Sequence, residues 1–448
     1  MSLSVQTYAE TYYVAPRGKN TNLGSINHPF QDIQYAVEQT QKNEPNTVDK
    51  IVITSGTYTV RPIEIRKSSN IEIIFQENVK IIAEPLQKKS IFPERWAGSF
   101  LNPYQCLFRI QDSCDITLQG KNTMLQMQRR QYENLPKNIR KEFRHVIGIY
   151  NGENIKIAGF TLRNSGGDGI EISGSSRKKD KNVYSKNVFI KNIICENNYR
   201  NGISIISVNG LTIDQCVIKK THGTSPEAGL DIEPFLPFQK LKNIKITNVK
   251  LTNNRQRAVI IQPDTLRGKG KPSQADPIDI LFENVVIEND GGIYLARFGD
   301  NSPKTTITFR NLLMQNTRWG IWLGLSSEQV KVLFENCLLL NVGDERWPVS
   351  IFSNANFTNK PGGITFQRFQ IIDDRERPPI KYARYTRTND QLYNINGQII
   401  VQNKNWQGEL FDKSGAKLHN VNLKVSRGIG DFINLNHKSF ISQPVKDR

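Results

Sequence analysis

The chain has 448 residues, of which 37% are hydrophobic and 23% are charged, and it carries a formal net charge of +18. This composition excludes an intrinsically disordered chain. The sequence contains no apolar run long enough to cross a membrane, and no zinc finger, basic helix or RNP pattern that would explain the charge by nucleic-acid binding. We therefore expect a folded protein with no membrane and no nucleic-acid partner, whose charge suits an acidic ligand.

The first 60 residues predict a strand, a loop rich in glycine and asparagine, and then a helix. The helix is expected from about Phe30 to Gln41, with an apolar stripe at Ile33, Ala36 and Val37. A further strand follows and ends in the pattern G-x-Y. This arrangement, with the pattern P-F-x-x-I-x-x-A at the helix, resembles the opening of pectate-lyase-like β-helix proteins. The resemblance implies that the helix caps one open end of a stack of coils.

Residues 61–375 are expected to form the body of the protein, which is interrupted near residues 86–145. This interruption contains the segment PERWAGSFLNPYQ and the basic run MQRRQYENLPKNIRKEFRH. Two interpretations remain open for it: a surface loop with a short helix, or a wall or lid over a cleft. Residues 376–448 begin with a charged, proline-containing stretch and then return to strand-like runs. They predict a last irregular coil or a small β cap.

A repeat of 27 to 34 residues is the dominant pattern of the body. Short strands with alternating apolar residues begin at Gly169, Gly202, Gly229, Ala258, Gly292, Gly320 and Pro348. Between them lie longer runs of the form N-I-x-I-x-N-x-x-[IVL], such as NIKITNVKL from Asn243. Alternation with period two predicts strands, and coils that cannot bury their apolar side alone must stack. The helical arc and L-x-x-L-x-L spacing of leucine-rich repeats are missing.

These observations predict an all-β protein, a right-handed parallel β-helix with an N-terminal capping helix and an irregular C-terminal β cap. Together with the N-terminal segment, the coils are similar to the pectin-lyase-like superfamily over most of the chain. The five cysteines have no CxxC spacing, so they predict neither a zinc site nor a disulfide framework.

Alignment of the short strands places outward-facing residues in vertical rows, because alternate side chains of a strand point to opposite faces. Acids occupy the early coils at Asp168, Glu171, Asp231 and Glu233. Aromatic side chains occupy the later coils at Tyr294, Trp319 and Trp322. The arginines expected beside them are Arg257 and Arg297, and the loop before the Asp231 strand adds His222 and Glu227. One coil earlier, Arg144 and His145 could line the far end of the same face.

Asp231 and Glu233 form the sharpest pair of candidate catalytic acids. Two residues along one strand face are about 6.6 Å apart, and inverting glycosidases hold their carboxyl groups roughly 6.5–9.5 Å apart. Glu171 lies two coils away, at about 9–10 Å, and Glu171 or Asp168 is the alternative partner. Two non-catalytic interpretations stay open. The acids could be paired with Arg257 and Arg297, or they could bind calcium, which prefers clustered carboxylates.

The residues favour a carbohydrate-active enzyme that cleaves a polysaccharide, foremost an inverting glycoside hydrolase without a cofactor. In it, Tyr294, Trp319 and Trp322 would hold sugar rings, with His222, Glu227, Arg257 and Arg297 as further substrate-binding residues. The polygalacturonase motifs N-T-D, D-D within a strand, G-H-G and R-I-K are missing.

The first alternative is a polysaccharide lyase or uronan epimerase acting on an acidic glycan. Arg257 would then be the base, and Glu171, Asp231 and Glu233 would hold calcium. The second alternative is a glycan-binding β-helix without catalysis. The sequence does not predict an oligomeric state. The first residues contain no basic region followed by an apolar run, so no signal peptide is expected in the given chain, although a glycan substrate favours a secreted, periplasmic or cell-surface protein.

Overall fold

The computed structural model describes residues 10–41, 47–86, 100, 102, 104–137, 140–174, 183–353, 357–384 and 391–428. The chain folds into a stack of coils, and each central coil contributes one short strand and one long strand. All strand pairs among the described residues are parallel, and they join strands of successive coils. This is the parallel β-helix that the repeat predicts.

Within the described residues, the short strands form one sheet of twelve strands. In chain order they are β4 (Ile63–Arg66), β7 (Phe108–Gln111), β9 (Ile147–Tyr150), β11 (Ile170–Ser173), β13 (Ile203–Ile205), β16 (Ala228–Ile232), β18 (Arg257–Ile261), β20 (Gly292–Phe298), β22 (Ile321–Leu325), β24 (Val349–Ser353), β26 (Ile380–Arg384) and β28 (Phe411–Asp412). We call this the short-strand sheet.

The remaining strands in the described part of the chain form a second sheet of seventeen strands, which we call the long-strand sheet. They are β1 (Thr11–Val14), β2 (Asp49–Ile53), β3 (Thr57–Val60), β5 (Ser69–Phe75), β6 (Lys80–Ala83), β8 (Cys114–Gln126), β10 (Glu153–Arg163), β12 (Ser185–Glu196), β14 (Val208–Asp214), β15 (Val217–Lys219), β17 (Leu241–Thr252), β19 (Ile278–Glu288), β21 (Thr305–Gln315), β23 (Val330–Leu340), β25 (Gly362–Ile372), β27 (Gln391–Gln402) and β29 (Lys417–Arg427).

Asparagines with positive φ bend the long strands, so that one continuous strand covers two sides of a coil. In successive coils these are Asn248, Asn284, Asn311 and Asn336, with φ between 55° and 57°. Asparagine tolerates this left-handed conformation better than most residues with a Cβ. The side-chain amides of the last three each donate to the asparagine one coil earlier, at 3.0, 2.8 and 2.6 Å in turn, and Asn248 donates to Asp214 at 2.7 Å. The bends are therefore tied together by a ladder of amide hydrogen bonds.

The core runs along the axis between the two sheets. In its centre Phe282, Phe309, Phe334 and Phe366 stack face to face, with ring centroids 4.6, 5.1 and 5.6 Å apart. Ring planes within about 11° of one another and this spacing maximise contact between the faces. The five cysteines, all of them in described residues, are free, as the sequence predicts.

The N-terminal helix α1 (Ile33–Thr40) begins three residues later than expected. Asp32 caps it by accepting a hydrogen bond from the Gln34 amide at 2.8 Å. The predicted stripe of Ile33, Ala36 and Val37 is fully buried. The helix contacts β1, β2 and β4, the strands at this end of the stack. It therefore closes the apolar end of the coils, as a capping helix does.

The predicted interruption at residues 86–145 is narrower than expected, and this boundary was wrong. β7 and β8 lie inside it and pair in parallel with β9 and β10 as an ordinary coil. The alignment missed this coil because Leu107, not glycine or another small residue, precedes the short strand. The basic run contributes the short helix α2 (Arg129–Glu133), and the segment from residue 87 to 99 lies outside the described residues.

The predicted C-terminal β cap continues the stack as far as it is described. β26 and β27 pair with the preceding coil, and β28 and β29 pair with them in turn. β28 has only two residues and β29 is largely exposed, so the regular coil thins out at this end. Among the described residues, no helix is long and apolar enough to span a membrane.

The phenylalanine stack gives a first test of what holds the coils together. Phe309→Ala removes a buried ring with a neighbour on both faces, so we expect the free energy of unfolding to fall by about 3–5 kcal/mol. Urea denaturation followed by circular dichroism measures the loss. Phe189→Ala is the matched control, because this ring is 36% exposed, and it should cost less than about 1 kcal/mol. Equal losses in the two variants would contradict the role of the stack.

Candidate active site

The predicted rows exist, because the short strands pair without a shift over the acidic coils. Along the short-strand sheet, the register joins Glu171, Ser204, Asp231, Ile260, Tyr294 and Trp322 in that order. The acids and the aromatic side chains therefore lie on one face, with Ile260 between them. We call this series the site row.

A buried network of charges forms the acidic end of the site row. His145 lies between two acids, with Nδ1 3.3 Å from Asp168 and Nε2 3.2 Å from Glu171. Arg200 lies on the other side, 3.5 Å from Asp168 and 3.8 Å from Asp231. The side chains of Asp168 and Asp231 are fully buried, whereas those of Glu171 and Arg200 are 13% and 17% exposed. A ligand would thus meet Glu171 and Arg200 first.

Asn201 fixes both aspartates. Its backbone N–H donates to Asp168 Oδ1 at 3.0 Å, and its side-chain amide donates to Asp231 Oδ2 at 2.8 Å. Within the described residues, Asp231 Oδ1 is buried and has no hydrogen-bond partner. A buried carboxylate oxygen without a partner is costly, and protonation lowers that cost. The environment of Asp231 therefore favours the neutral acid.

The pKa values of Asp231 and Glu171 are shifted in opposite directions. Burial raises the pKa of Asp231 to about 7, against the opposing charge of Arg200. Burial also acts to raise the pKa of Glu171, but the charge and hydrogen bond of His145 outweigh it, so this pKa lies below its ordinary value. For His145, the two acids outweigh burial and raise its pKa. At mildly acidic pH, below the pKa of Asp231, the site thus combines a largely protonated Asp231 with an ionised Glu171.

Glu233 directly follows the last residue of β16, two residues after Asp231. Burial raises its pKa, while the positive charge of Arg200 acts in the opposite direction. Gln262 lies 3.5 Å from its carboxylate. The pKa values of Asp231 and Glu233 are therefore shifted in the same direction, which does not separate them into one acid and one base.

The aromatic end of the site row is a cluster of rings and arginines. Tyr294 and Trp322 have ring centroids 5.7 Å apart, and Trp319 stands nearly perpendicular to Trp322 at 6.1 Å. Arg257 lies 4.4 Å over Trp319, and Arg346 lies 4.3 Å over Trp322. Both distances are typical of cation–π contacts. The cluster presents half-buried rings and guanidinium groups side by side.

The open alternative that Arg257 and Arg297 neutralise the acids was wrong. Arg257 lies over the indoles, and Arg297 pairs with Asp264 at 3.2 Å. Arg200 takes that place, and the sequence reasoning missed it. Its position directly before Asn201 in an aligned row, between two acidic coils, was the signal that could have found it.

His222 and Glu227 make their contacts away from the acids. His222 Nδ1 lies 2.8 Å from the Arg129 guanidinium, and its Nε2 lies 2.9 Å from Asn197 Oδ1. The side chain lines a cavity of about 470 Å³ beside helix α2. Glu227 accepts hydrogen bonds at 2.7 Å from the Gly223 amide and from Gln256. Glu227 therefore stabilises the loop that contains it. Their predicted contact with substrate on the site row is not supported by these positions.

The residues one coil before Asp168 have separate roles. His145 joins the acidic network, as described above. Arg144 is fully buried, donates to the Phe100 carbonyl at 2.7 Å and lies 5.2 Å over the Tyr132 ring. It supports the fold below the network and does not line the face.

A possible cation site differs from the predicted one. In the described part of the chain, the ligand atoms close enough to hold one ion belong to His145, Asp168 and Glu171, within 4.8 Å of one another. The predicted calcium ligands Glu171, Asp231 and Glu233 do not form such a group. Calcium prefers an all-oxygen set. Here His145 Nδ1 already accepts a hydrogen bond from the Asp168 backbone N–H at 2.9 Å, and Nε2 faces Glu171. The arrangement suits a histidine that holds Glu171 in place better than a calcium site.

A family model described as "Right handed beta helix region" matches residues 138–343. The chain is a right-handed parallel β-helix. A curated relative, the probable endopolygalacturonase D of Emericella nidulans, is 28% identical over 192 residues, which are 35% of this chain and 37% of the relative. The chain thus matches just over a third of that relative's length.

Two solved structures are similar to nearly the whole chain. The family 28 exopolygalacturonase of Yersinia enterocolitica has a TM-score of 0.56 at 13% identity, covering 93% of this chain and 78% of its own. The endo-xylogalacturonan hydrolase of Aspergillus tubingensis has a TM-score of 0.53 at 12% identity, covering 92% of this chain and 100% of its own. At these sequence identities the similarity shows a shared fold and nothing further.

The raised pKa of Asp231 predicts a pH-dependent stability. Because its pKa rises from 3.8 to about 7 on folding, the folded state binds this proton more tightly, and the protein loses stability as the pH rises through that window. The loss is at most about 1.4 kcal/mol for each pH unit. In Asp231→Asn this loss disappears, so the stability of the variant relative to the wild type should increase from about pH 4 to 7 and then level off.

Urea denaturation between pH 4 and 8.5 measures this difference. Asp279→Asn, which changes an exposed side chain on the long-strand sheet, is the control and should follow the wild type at every pH. A constant difference between Asp231→Asn and the wild type across the range would contradict the buried, protonated state of Asp231.

Proposed function

We propose that this protein is a glycoside hydrolase that cleaves a polysaccharide on the site row, with Asp231 as general acid and Glu171 as general base. The observation that carries the proposal is the pair of opposite pKa shifts on one face. Asp231 has a pKa of about 7, and the pKa of Glu171 lies below its ordinary value. Two carboxyl groups whose pKa values are pushed apart by their surroundings are the usual acid and base of such an enzyme.

The spacing of these two acids suits an inverting mechanism. Ser204 alone separates them in the register, so their backbones lie two strand spacings apart, about 9–10 Å. Inverting enzymes leave room for a water molecule by holding the carboxyl groups roughly 6.5–9.5 Å apart. Glu171 would take a proton from that water, while Asp231 would protonate the departing sugar oxygen. Glu233, the partner first expected for Asp231, is left out of the acid–base pair because its pKa is also raised.

Arg200 controls access to the proposed acid. Asp231 is fully buried and Arg200 lies 3.8 Å from it, so Asp231 reaches a glycosidic oxygen only after the guanidinium moves. A polar or acidic substituent of the substrate offers Arg200 a new hydrogen-bonding partner. When Asp231 is protonated, it loses little as Arg200 moves away, because a neutral carboxyl forms no ion pair with the guanidinium.

The aromatic cluster supplies the binding surface for sugars. Tyr294 lies two coils and Trp322 three coils beyond Asp231 along the site row, or about 10 and 14 Å. Aromatic faces bury large apolar area at low entropic cost, and sugar rings present the matching C–H faces. A polysaccharide that lies along the helix axis would thus contact the rings with one part and the acids with another.

The comparisons favour hydrolysis over elimination. The curated relative and the two structures with TM-scores above 0.5 are, by their names, polygalacturonases or a xylogalacturonan hydrolase. Because the polygalacturonase motifs are missing from this chain, we do not extend their substrate to it. We propose that the reaction needs no cofactor and that the protein acts where polysaccharides are exposed, as a secreted, periplasmic or cell-surface protein.

A glycan-binding role without catalysis is the second candidate. It is favoured by Arg200, whose guanidinium lies within 4 Å of both Asp168 and Asp231. If that arrangement is permanent, the acids serve only to hold Arg200 in place and the face binds without cleaving.

Substitution of the two acids tests the proposed chemistry. Asp231→Asn and Glu171→Gln should each lower kcat by about 10²–10⁴-fold, measured as new reducing ends on a panel of acidic and neutral polysaccharides. The wild-type rate should fall above about pH 7 as Asp231 loses its proton, and again at acidic pH as Glu171 gains one. Glu283→Gln, on the long-strand sheet, is the control and should retain full activity.

The same reactions, followed by ultraviolet absorbance and repeated with a chelator, separate the alternatives. Unsaturated products would overturn the hydrolase in favour of a lyase. Binding without any product from the wild type would leave the glycan-binding role.

The aromatic cluster gives a separate prediction for substrate binding. Trp319→Ala should raise KM by about tenfold and change kcat much less, because the ring contacts sugar equally in the ground and transition states. Trp406→Ala, which removes an indole near the C-terminal end of the stack, is the matched control and should leave KM unchanged. A fall in kcat at constant KM would instead place Trp319 at the reacting bond.

A further inference from the structure

The loops that follow the short strands enclose a second cavity beside the site row. It has a volume of about 1140 Å³ and is lined by residues 235–238, 264–272, 274–276, 301 and 357 together with Lys240. This exceeds the usual range for ligand sites, roughly 300–1,000 Å³. The cavity is therefore large enough for more than a single small molecule.

One wall of the cavity adjoins the proposed active site. Asp264 lines the cavity and pairs with Arg297 at 3.2 Å. The charges of both residues act on the pKa of Glu233, which stands next to the proposed acid. A chain bound on the site row could therefore continue into the cavity.

The charge of the cavity is positive. Its acids are already paired: Asp264 with Arg297 and Asp276 with Lys240, the latter at 3.0 Å. Lys269 and Lys271 are exposed, and neither forms an ion pair with any described residue. Two lysines without counter-charges on one short loop attract anions from solution.

The loop that carries these lysines has a defined shape. Gly268 donates its N–H to the Asn301 carbonyl at 2.9 Å, and Gly270 has a φ of +66°. Positive φ at Gly270 is strained for residues with a Cβ. Arg267, which precedes Gly268, lies 4.7 Å over the Phe357 ring. The loop is thus held against the neighbouring coil and presents its lysines from a fixed base.

Aromatic side chains also line this cavity. Phe235 is 48% exposed although it is a large apolar residue, and Phe238 lines the same cavity. The amides of Phe235 and Leu236 both donate to Gln239, at 2.7 and 3.0 Å, so this loop also has a fixed form. An exposed ring and unpaired ammonium groups in one cavity match a ligand with apolar ring faces and anionic substituents.

We infer that this cavity is a second glycan-binding site, which takes an anionic stretch of the polysaccharide beyond the cleavage point. The inference rests on the proposed function, and it adds the class of substrate: a glycan that carries carboxylate or sulfate groups. Lys269 and Lys271 bind the anionic groups, and Phe235 packs against a sugar ring. Both carboxylate and sulfate satisfy ammonium donors, so the test includes one glycan of each kind.

The experiment measures binding and not cleavage, with the full chain in an Asp231→Asn background so that the glycans stay intact. Affinity is measured by titration calorimetry at low ionic strength for polygalacturonate, a carrageenan and an uncharged galactan. The double variant Lys269→Ala/Lys271→Ala should bind at least one anionic glycan about tenfold more weakly and the galactan as before. The loss should shrink in high salt, which screens exposed charges.

Two further variants make the result specific. Lys245→Ala/Lys331→Ala removes the same charge from exposed positions on the long-strand sheet and should leave every affinity unchanged. Phe235→Ala should weaken binding of the same anionic glycan by about threefold or more without changing the affinity for single-stranded DNA.

A loss confined to polygalacturonate assigns the site to carboxylates, and a loss confined to the carrageenan assigns it to sulfates. Unchanged affinity in the Lys269/Lys271 variant, or an equal loss in the control pair, overturns the site. DNA binding that depends on the lysines while Phe235 has no effect on glycans overturns it as well, in favour of a general polyanion surface. Failure of the proposed hydrolysis appears separately, as wild-type protein that yields no new reducing ends.

Discussion

Each coil of this β-helix pairs in parallel with the next. Residues at the same position of successive coils therefore form a row, in which neighbouring residues lie about 4.8 Å apart. This register turns a repeat in the sequence into a surface. It brings Glu171 and Asp231 to one face although 59 residues of chain separate them, and it sets their distance through the coil of Ser204. The stacked phenylalanines and the asparagine ladder hold the register from the inside and at the bends.

Within that register, the balance between burial and charge decides what each acid does. Asp168 and Asp231 are both fully buried, and burial disfavours their ionised forms. Arg200 and His145 oppose burial, but they are not shared equally. His145 faces Asp168 and Glu171, whereas the cationic partner of Asp231 among the described residues is Arg200, at the longer distance of 3.8 Å. The pKa of Asp168 is raised although both cations lie beside it, because its side chain is fully buried. Partial exposure together with the hydrogen bond from His145 is therefore what distinguishes Glu171, whose pKa is lowered, from the two aspartates.

The sequence was sufficient for the fold and for the site row, because both follow from a short repeat with period-two alternation. The row of Asp231, Tyr294 and Trp322 needed only the alignment of strand starts. The partners of the side chains were harder to predict. Arg257 stacks on indoles, Arg200 takes the acids and His222 contacts Arg129. These contacts depend on the paths of turns and loops between coils, which no alternation pattern encodes. The coil of β7 and β8 was missed for a simpler reason, the unusual residue at its start.

Ile260 separates the acids from the aromatic side chains within the site row. Its coil also carries Arg257, which lies over Trp319, and Gln262, which lies 3.5 Å from Glu233. In a solenoid, each coil contacts mainly its two neighbours, so insertion of one further coil after this one would leave the acidic network unchanged. The same insertion would move the aromatic rings about 4.8 Å farther from the acids. Under the proposed function, the number of coils at this point therefore sets the distance between the sugar-binding rings and the point of cleavage.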